Sequence, residues 1–326
     1  MGDGRSIRWG ICGTGRIAND FATALALVDD ADLVAVASHD AHRAERFARE
    51  HAVARHYVGY ELLAADHNVD VVYVATTQNR HVDDTLLFLG AGKHVLCEKP
   101  FALNLADARR MIDAAAISGS FLMEALWSRF LPSYVRLKEL LDDGTIGDVL
   151  HIDANFGFRV PDNDIEGHRL FDPARGGGAL FDLGVYPVNL AHFVLGSPCS
   201  VVANGRLMTN GLDEHANLQL GFDGGATAQL HAAVRTPCTN RARIAGTEGT
   251  IDIAPFMHAA SRFTVRRGDE EETFEFPRAS LHFQVPDVHR CIRAGVQESP
   301  RMSHADTLGL MTTLDSAAEQ IGIEFA

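Results

Sequence analysis

The stretch with the least conformational freedom is residues 7–18. An apolar run over 7–12 meets Gly13-Thr14-Gly15-Arg16-Ile17-Ala18, and helix-forming residues continue to Ala26. A short apolar run closed by glycines reads as a buried strand. In the G-x-G-x-x-A spacing that follows, Gly13 permits a tight turn, Gly15 lets the backbone approach a pyrophosphate, and the small Ala18 lets the helix pack on the strand. The N–H groups at the start of that helix can hold an anion, with Thr14, Arg16 and Ile17 completing the loop around it. Strand, glycine turn and helix in this order commit the N-terminal part to a parallel sheet flanked by helices, with a dinucleotide at its edge.

The alternation continues. Further strands are predicted over 33–37, 55–58, 69–75, 95–97 and 121–125, with helices over 41–50, 60–65, 82–91 and 105–117 between them. Such a sheet binds ligands beyond the carboxyl ends of its strands, so each strand exit is read for chemistry. The second strand leaves through Ser38-His39-Asp40-Ala41-His42-Arg43. An acidic residue in the first of these positions would bond both ribose hydroxyls and repel a 2′-phosphate. Here Ser38 can donate to phosphate, His39 can when protonated, and Arg43 adds charge one helical turn later, so NADP is expected over NAD. Asp40 is expected to cap the following helix. After the fourth strand, Thr76, Thr77, Asn79 and His81 are placed to touch ribose and nicotinamide or to cap the next helix. The fifth leaves through Glu98-Lys99-Pro100, where Pro100 ends the ladder for want of an N–H. From this segment alone, Lys99 reads equally as a loop lysine or as one that reaches the cofactor. After the sixth, Trp127 and Arg129 either flank a cofactor ring or substrate or form a hydrophobic corner.

From about residue 147 the pattern changes to strand after strand, over 149–158, 201–208, 215–222, 226–234, 240–245, 250–253, 262–267 and 272–276. Asp223-Gly224-Gly225 and Gly246-Thr247-Glu248-Gly249 mark tight turns among them, and strands joined this way imply an open antiparallel sheet. Its broad face calls for cover by helices or by a second copy of the chain. The expected fold is therefore α/β plus α+β: a Rossmann doubly wound parallel sheet over 1–125, then a mainly antiparallel sheet domain over 126–326. Two amphipathic helices, 285–295 and 303–321, pack back on one of these layers. One helix, over 176–192, interrupts the strands. It carries Asp182 and Tyr186 at i and i+4, on one face, after the run Gly176-Gly177-Gly178, which lets a ligand come close. A tyrosine beside a lysine ammonium has the parts for hydride chemistry, because the cation favours the phenolate and lets it take an alcohol proton. Taken singly, Tyr186 reads equally as a core aromatic and Asp182 as a cap.

A net charge of −14 without a Lys/Arg-rich run argues against nucleic acid and anionic membrane. Five cysteines without paired spacing suit reduced thiols in the cytoplasm. Residues 1–6 lead into the first strand without an apolar leader, and the apolar runs read as too short for a bilayer. The pairs His39/His42 and His51/His56 lack partners at ligand spacing, so no metal is expected.

With Gly13–Ala18, Glu98-Lys99-Pro100, Gly176–Asp182 and Tyr186 in this order, the chain resembles the Gfo/Idh/MocA oxidoreductase family over nearly its whole length. The runs 123–130, 177–186 and 246–251 are similar to the branch containing dimeric dihydrodiol dehydrogenase and NADP-dependent D-xylose dehydrogenase. The resemblance implies a Rossmann domain joined to an open sheet through which copies dimerise, with Lys99 at the nicotinamide and catalytic. Many sugar-specific members carry His where this chain has Tyr186. One departure concerns the 2′-phosphate, where NADP-using relatives show Ser-Arg and this chain has Ser38-His39, a pH-dependent ligand. The expected activity is hydride transfer between NADP and a secondary alcohol of a sugar or vicinal trans-dihydrodiol. Tyr186 accepts the proton, Lys99 holds the oxygen, and Asp182 orients hydroxyls or the ammonium. Trp127, Arg129 and Phe158, with Phe156, Arg159, His168 and Arg169, are the expected pocket. The alternative, a non-catalytic NAD(P)-binding sensor or regulator of the same fold, is opposed by the presence of both Lys99 and Tyr186.

Overall fold

The computed structural model describes residues 5–325, so residues 1–4, where the expected lack of a leader was read, lie outside the described residues. By compactness the chain forms two units. One comprises the chain up to Ala102, with Ala106–Trp127 and Ser280–Thr307; the other comprises Leu103–Leu105, Ser128–Ala279 and the chain from Leu308.

In the first unit the opening apolar run forms β1 (Ile7–Cys12), followed by α1 (Arg16–Leu25), β2 (Ala31–Ser38), α2 (Ala41–Glu50), β3 (Arg55–Val58) and α3 (Tyr60–Ala64). Then come β4 (Val71–Val74), α4 (His81–Gly90), β5 (His94–Cys97), α5 (Leu105–Ser118) and β6 (Leu122–Glu124). All six strands pair in parallel in the order β3-β2-β1-β4-β5-β6, a doubly wound sheet that reverses direction of travel between β1 and β4. Every residue of β4 is buried, which is why its sequence is a continuous apolar run without alternation. The first unit extends through Trp127, and 280–307 returns to it. That return is fixed by side chains remote in sequence. The buried Trp9 donates its indole N–H to Nε2 of His289 (2.9 Å) in the later helix, and His289 Nδ1 lies 3.1 Å from Asp30.

The exit of β5 is the most constrained corner of this unit. The hydroxyl of the fully buried Tyr73 donates to Glu98 Oε1 in a short hydrogen bond, and Glu98 Oε2 accepts the Lys99 N–H (3.1 Å). The Lys99–Pro100 peptide is cis, and Glu124 Oε1 accepts the Phe101 N–H (3.1 Å). His81 closes the corner, with Nδ1 2.8 Å from the Pro100 carbonyl oxygen and Nε2 3.3 Å from that of Thr76.

The second unit holds α6 (Pro132–Asp142), β7 (Val149–Gly157), α7 (Val185–Leu195), β8 (Ser200–Leu207), β9 (Asp213–Gly221) and β10 (Thr227–Ala233). β11 (Ala242–Gly246), β12 (Thr250–Ile253), β13 (Arg262–Arg267) and β14 (Glu270–Glu275) follow. Of the last two helices, α8 (Val285–Ala294) belongs to the first unit, and α9 (His304–Ile321) continues into the second from Leu308. The eight strands run β14-β13-β12-β11-β7-β10-β9-β8, antiparallel except for the central pair β7 and β10. The parallel pair departs from a pure hairpin series. Between β7 and β10 the chain is spent on a loop, α7 and two strands, so its direction need not reverse. Alternating burial along β9, β10 and β12 shows one buried face and one polar face. The run Pro173–Leu195 is also a correction to the sequence reading: it is long and apolar enough to cross a membrane, with mean hydropathy 1.3. However, 83% of that window is buried inside the fold, as suits a core helix.

His81 carries a pH prediction. Burial pushes its imidazole down to about 4, against which the Pro100 and Thr76 carbonyls act in the other direction. A folded-state value below the ordinary 6.5 means stability that is complete above pH 6.5 and lost as pH falls through about 4. Urea unfolding of wild type and His81→Gln between pH 7 and pH 4 should differ in slope by about 3 kcal/mol in total; parallel curves would contradict this role.

Candidate active site

In the first unit the glycine turn after β1 is built as its sequence requires. Gly13 has φ +102°, and a Cβ there would stand 2.8 Å from the Ala75 carbonyl oxygen. Gly15, the N-cap of α1, would place a Cβ with no atom within 4 Å. One glycine is thus demanded by the protein's own backbone, and the other leaves open space where a ligand backbone or phosphate can come close. Thr14 is buried here, and Arg16 and Ile17 begin α1.

The exit of β2 stands beside that turn. The Ser38 hydroxyl is buried, accepts the Asp40 N–H (3.2 Å) and lies 3.5 Å from the Thr14 hydroxyl. Asp40 caps α2, its Oδ1 accepting the Arg43 N–H (3.0 Å), and these backbone N–H groups hold its carboxyl below the usual range. The Arg43 guanidinium reaches the Thr14 carbonyl oxygen (3.4 Å), which brings a cation to the glycine turn. His39 is exposed and packs its ring on Tyr60, 4.2 Å between centroids. At the exit of β4, Thr76 and Thr77 precede a short 3₁₀ turn, Gln78–Arg80, that contains Asn79 and runs into α4. His81 differs from an open ligand position: it is 1% exposed, and both ring nitrogens face carbonyls. Glu98 is buried in the corner, and Lys99 beside it is half-buried. Trp127 is half-buried at the end of this unit.

In the second unit Asp182 and Tyr186 stand on the helix before and within α7. Its first turn, Leu180–Gly184, is π-helical, a wider winding that often marks functional sites. Asp182 is buried, and Arg169 clamps both its oxygens, Nη1 to Oδ1 at 2.9 Å and Nη2 to Oδ2 at 2.8 Å. A bidentate pair of this kind is geometrically demanding, and it ties the loop bearing His168 and Arg169 to the helix. The Tyr186 ring is enclosed by aromatics. Phe156 meets it edge-on at 5.6 Å, and the His258 ring lies 4.5 Å from it. Phe158 is exposed beside Phe156, at 6.4 Å. Arg129 is buried, where a substrate contact was expected: its Nε donates to Asn189 Oδ1 (2.7 Å) on α7, and its guanidinium lies over the Phe193 ring. It braces the helix three residues beyond Tyr186.

Sequence reading missed His258 and Asp213. His258 sits in a turn, Met257–Ala259, entered through Phe256 at φ +63°, an uncommon conformation for an aromatic residue. The Ser128 hydroxyl donates to the His258 carbonyl (2.6 Å), and the Tyr134 hydroxyl donates to that of Met257 (3.0 Å). The turn is therefore pinned by residues more than a hundred positions earlier, and no local pattern announces it.

The description "Oxidoreductase family, NAD-binding Rossmann fold" matches residues 7–126, and "GFO/IDH/MocA C-terminal domain" matches residues 134–252. The chain belongs to the GFO/IDH/MocA oxidoreductase family. It is 38% identical to trans-1,2-dihydrobenzene-1,2-diol dehydrogenase of Xenopus laevis, over 98% of this chain and 99% of that one. Among solved structures, it is similar to the aldose-aldose oxidoreductase of Caulobacter crescentus complexed with glycerol, with TM-score 0.88 and 27% identity over 97% of each chain. It is also similar to a 3-ketoreductase of Actinomadura kijaniata in complex with NADP and TDP-benzene, with TM-score 0.87 and 28% identity over 97% of this chain and 98% of that one. As a GFO/IDH/MocA protein it is an oxidoreductase with an NAD(P)-binding Rossmann domain, and the glycine turn described above lies within that domain.

The two glycines predict different variants. Gly15→Ala should leave folding stability within about 1 kcal/mol of wild type while weakening NADPH binding at least about tenfold by fluorescence titration. Gly13→Ala should instead lose about 1–3 kcal/mol of stability through strain. Unchanged NADPH affinity in Gly15→Ala would contradict the assignment of the open space to the cofactor.

Proposed function

We propose that this oxidoreductase uses NADP and oxidises a secondary alcohol in a sugar or a vicinal trans-dihydrodiol, or reduces the corresponding carbonyl. The observation that carries the substrate class is the setting of Tyr186. It is a tyrosine on a wide helical turn, walled by Phe156 and His258, in a chain that resembles diol dehydrogenases over its full length. Aromatic walls accept the apolar face of a carbocycle or a sugar ring, and a phenol serves an alcohol proton.

Bound NADP supplies the hydride acceptor at C4 of its nicotinamide. The chain's own residues do the rest. Lys99, held at its backbone by Glu98, binds the substrate oxygen and draws off the negative charge that develops there. The Tyr186 phenolic oxygen takes the hydroxyl proton. Asp182 acts through Arg169: with both carboxylate oxygens clamped, it fixes a guanidinium whose side chain is 45% exposed and can meet substrate hydroxyls. His81 serves the corner as a clasp, and Thr76, Thr77 and Asn79 remain the candidates for ribose and nicotinamide.

The preference for NADP rests on the exit of β2. Asp40 is committed to capping α2, no acidic side chain replaces Ser38, and Arg43 stands at the glycine turn. Five free cysteines support a reducing, cytoplasmic setting. Assembly is part of the same reading: copies pair through the polar face of the eight-stranded sheet. A cavity of about 540 Å³ there is lined by Asn155, Asn217, Gln229 and His231 among others. An interface of amides and charges is wet and sensitive to salt.

A screen of NADP⁺ and NAD⁺ reduction over aldoses and trans-diols tests the activity. The wild type should favour NADP⁺ at least about tenfold in kcat/KM, and Tyr186→Phe and Lys99→Met should each lose about a hundredfold or more in kcat. Near-wild-type turnover in either variant, or better use of NAD⁺, would refute the corresponding assignment. For assembly, light scattering should give a dimer mass at low salt that falls toward a monomer near 1 M salt; a monomer throughout contradicts the pairing.

A further inference from the structure

The helix that bears Asp182 and Tyr186 starts without a cap of its own, since neither Ala179 nor Gly184 offers a side chain to its free N–H groups. The first four N–H groups of a helix need outside acceptors. Here the acceptor comes from another element. Asp213, the first residue of β9, accepts the Leu180 N–H (2.7 Å) and the Ala179 N–H (3.1 Å) on Oδ2. Its side chain is 1% exposed.

The glycine run before the helix has a second reading in this light. Gly178 has φ +103°, and a Cβ built on it would stand 2.2 Å from Asp213 Oδ1. A side chain at 178 would therefore occupy the carboxylate's own place. The glycine is the seat for Asp213 as much as a means of approach for a ligand.

We propose that Asp213 is a positioning residue for the reaction, fixing through Ala179 and Leu180 the helix start that sets where Asp182 and Tyr186 stand. The proposal rests on the reading of Tyr186 as proton acceptor. Tyr186 follows the anchored N–H groups by six and seven residues, with the π-helical turn between them. A loose start would pass directly to the phenol, and misplacement of a reacting group by about 1 Å can cost a hundredfold in rate.

Stability alone does not account for a carboxylate here. Burial pushes Asp213 up to about 6, with the backbone N–H groups of Leu180 and Ala179 acting in the opposite direction. A raised value means that its contribution to folding is complete below the ordinary 3.8 and is lost as pH rises through about 6. At neutral pH the ionised group thus opposes folding, while its charge strengthens both hydrogen bonds to the helix.

Asp213→Ala and Asp213→Asn test this in the full-length protein. Amide hydrogen exchange over residues 179–186 reports the anchor whatever the reaction, and kcat against KM reports its use. In Asp213→Ala, exchange over 179–186 should quicken at least about tenfold and kcat should fall about tenfold to a hundredfold. The Kd for NADPH should be unchanged, and Asp213→Asn, which keeps one acceptor, should recover part of the lost kcat. A folded Asp213→Ala with wild-type kcat, or with unchanged exchange over 179–186, overturns the proposal. If Asp213→Ala does not fold, Asp213→Asn is judged by the same two readings, slower turnover with faster exchange supporting the role and wild-type values for either overturning it. Full turnover by Tyr186→Phe would refute the catalytic reading separately, while the exchange result would still report the anchor.

Discussion

A buried carboxylate at the end of β5 governs the first unit. Glu98 is 5% exposed and is held from two sides, by the Tyr73 hydroxyl and by the N–H of Lys99. Tyr73 in turn stacks on Phe21 of α1, with ring centroids 3.8 Å apart. One ring therefore links the helix that opens at the glycine turn to the corner that carries Lys99. Low surrounding polarity makes each of these hydrogen bonds costly to leave unmade, so the corner has a single arrangement. His81 adds the third side by bridging the exits of β4 and β5.

The second unit solves a different problem. A core helix must keep two polar residues, Asp182 and Tyr186, at a defined place while the rest of it is buried. Arg169 answers the charge of Asp182, Arg129 braces Asn189, and Phe156 and His258 hold the Tyr186 ring. The π-helical turn shifts the winding at this point, and Asp213 fixes its start. The partners that hold Asp182 and Asn189 come from elsewhere in the chain, Arg169 and Arg129.

Elements with strong local signals were legible in the sequence. The strand, glycine turn and helix at 7–25 were, as were α2 with its Asp40 cap and the strands at 55–58, 250–253 and 262–267, because periodicity and capping act within a few residues. Illegible were features made by long-range pairing: the parallel register of β7 with β10, and the burial of His81 and Arg129. Polar residues at strand exits look alike in sequence whether they face solvent, a ligand or a neighbouring carbonyl. Arg129 shows the point, since only the fold reveals Asn189 opposite it. Asp213 shows it again, as an acidic residue at the start of β9 with nothing nearby to mark it as the cap of a helix more than thirty residues earlier.

The central claim is that this chain moves hydride directly between a carbinol carbon and the nicotinamide while its own side chains handle the proton. The most direct measurement uses an accepted substrate deuterated at the carbon to be oxidised, with NADP⁺ in ordinary water, and reads the reduced cofactor by proton NMR. Direct transfer predicts deuterium at C4 of the nicotinamide, on one face. Protium at that position, or deuterium lost to solvent, would contradict it.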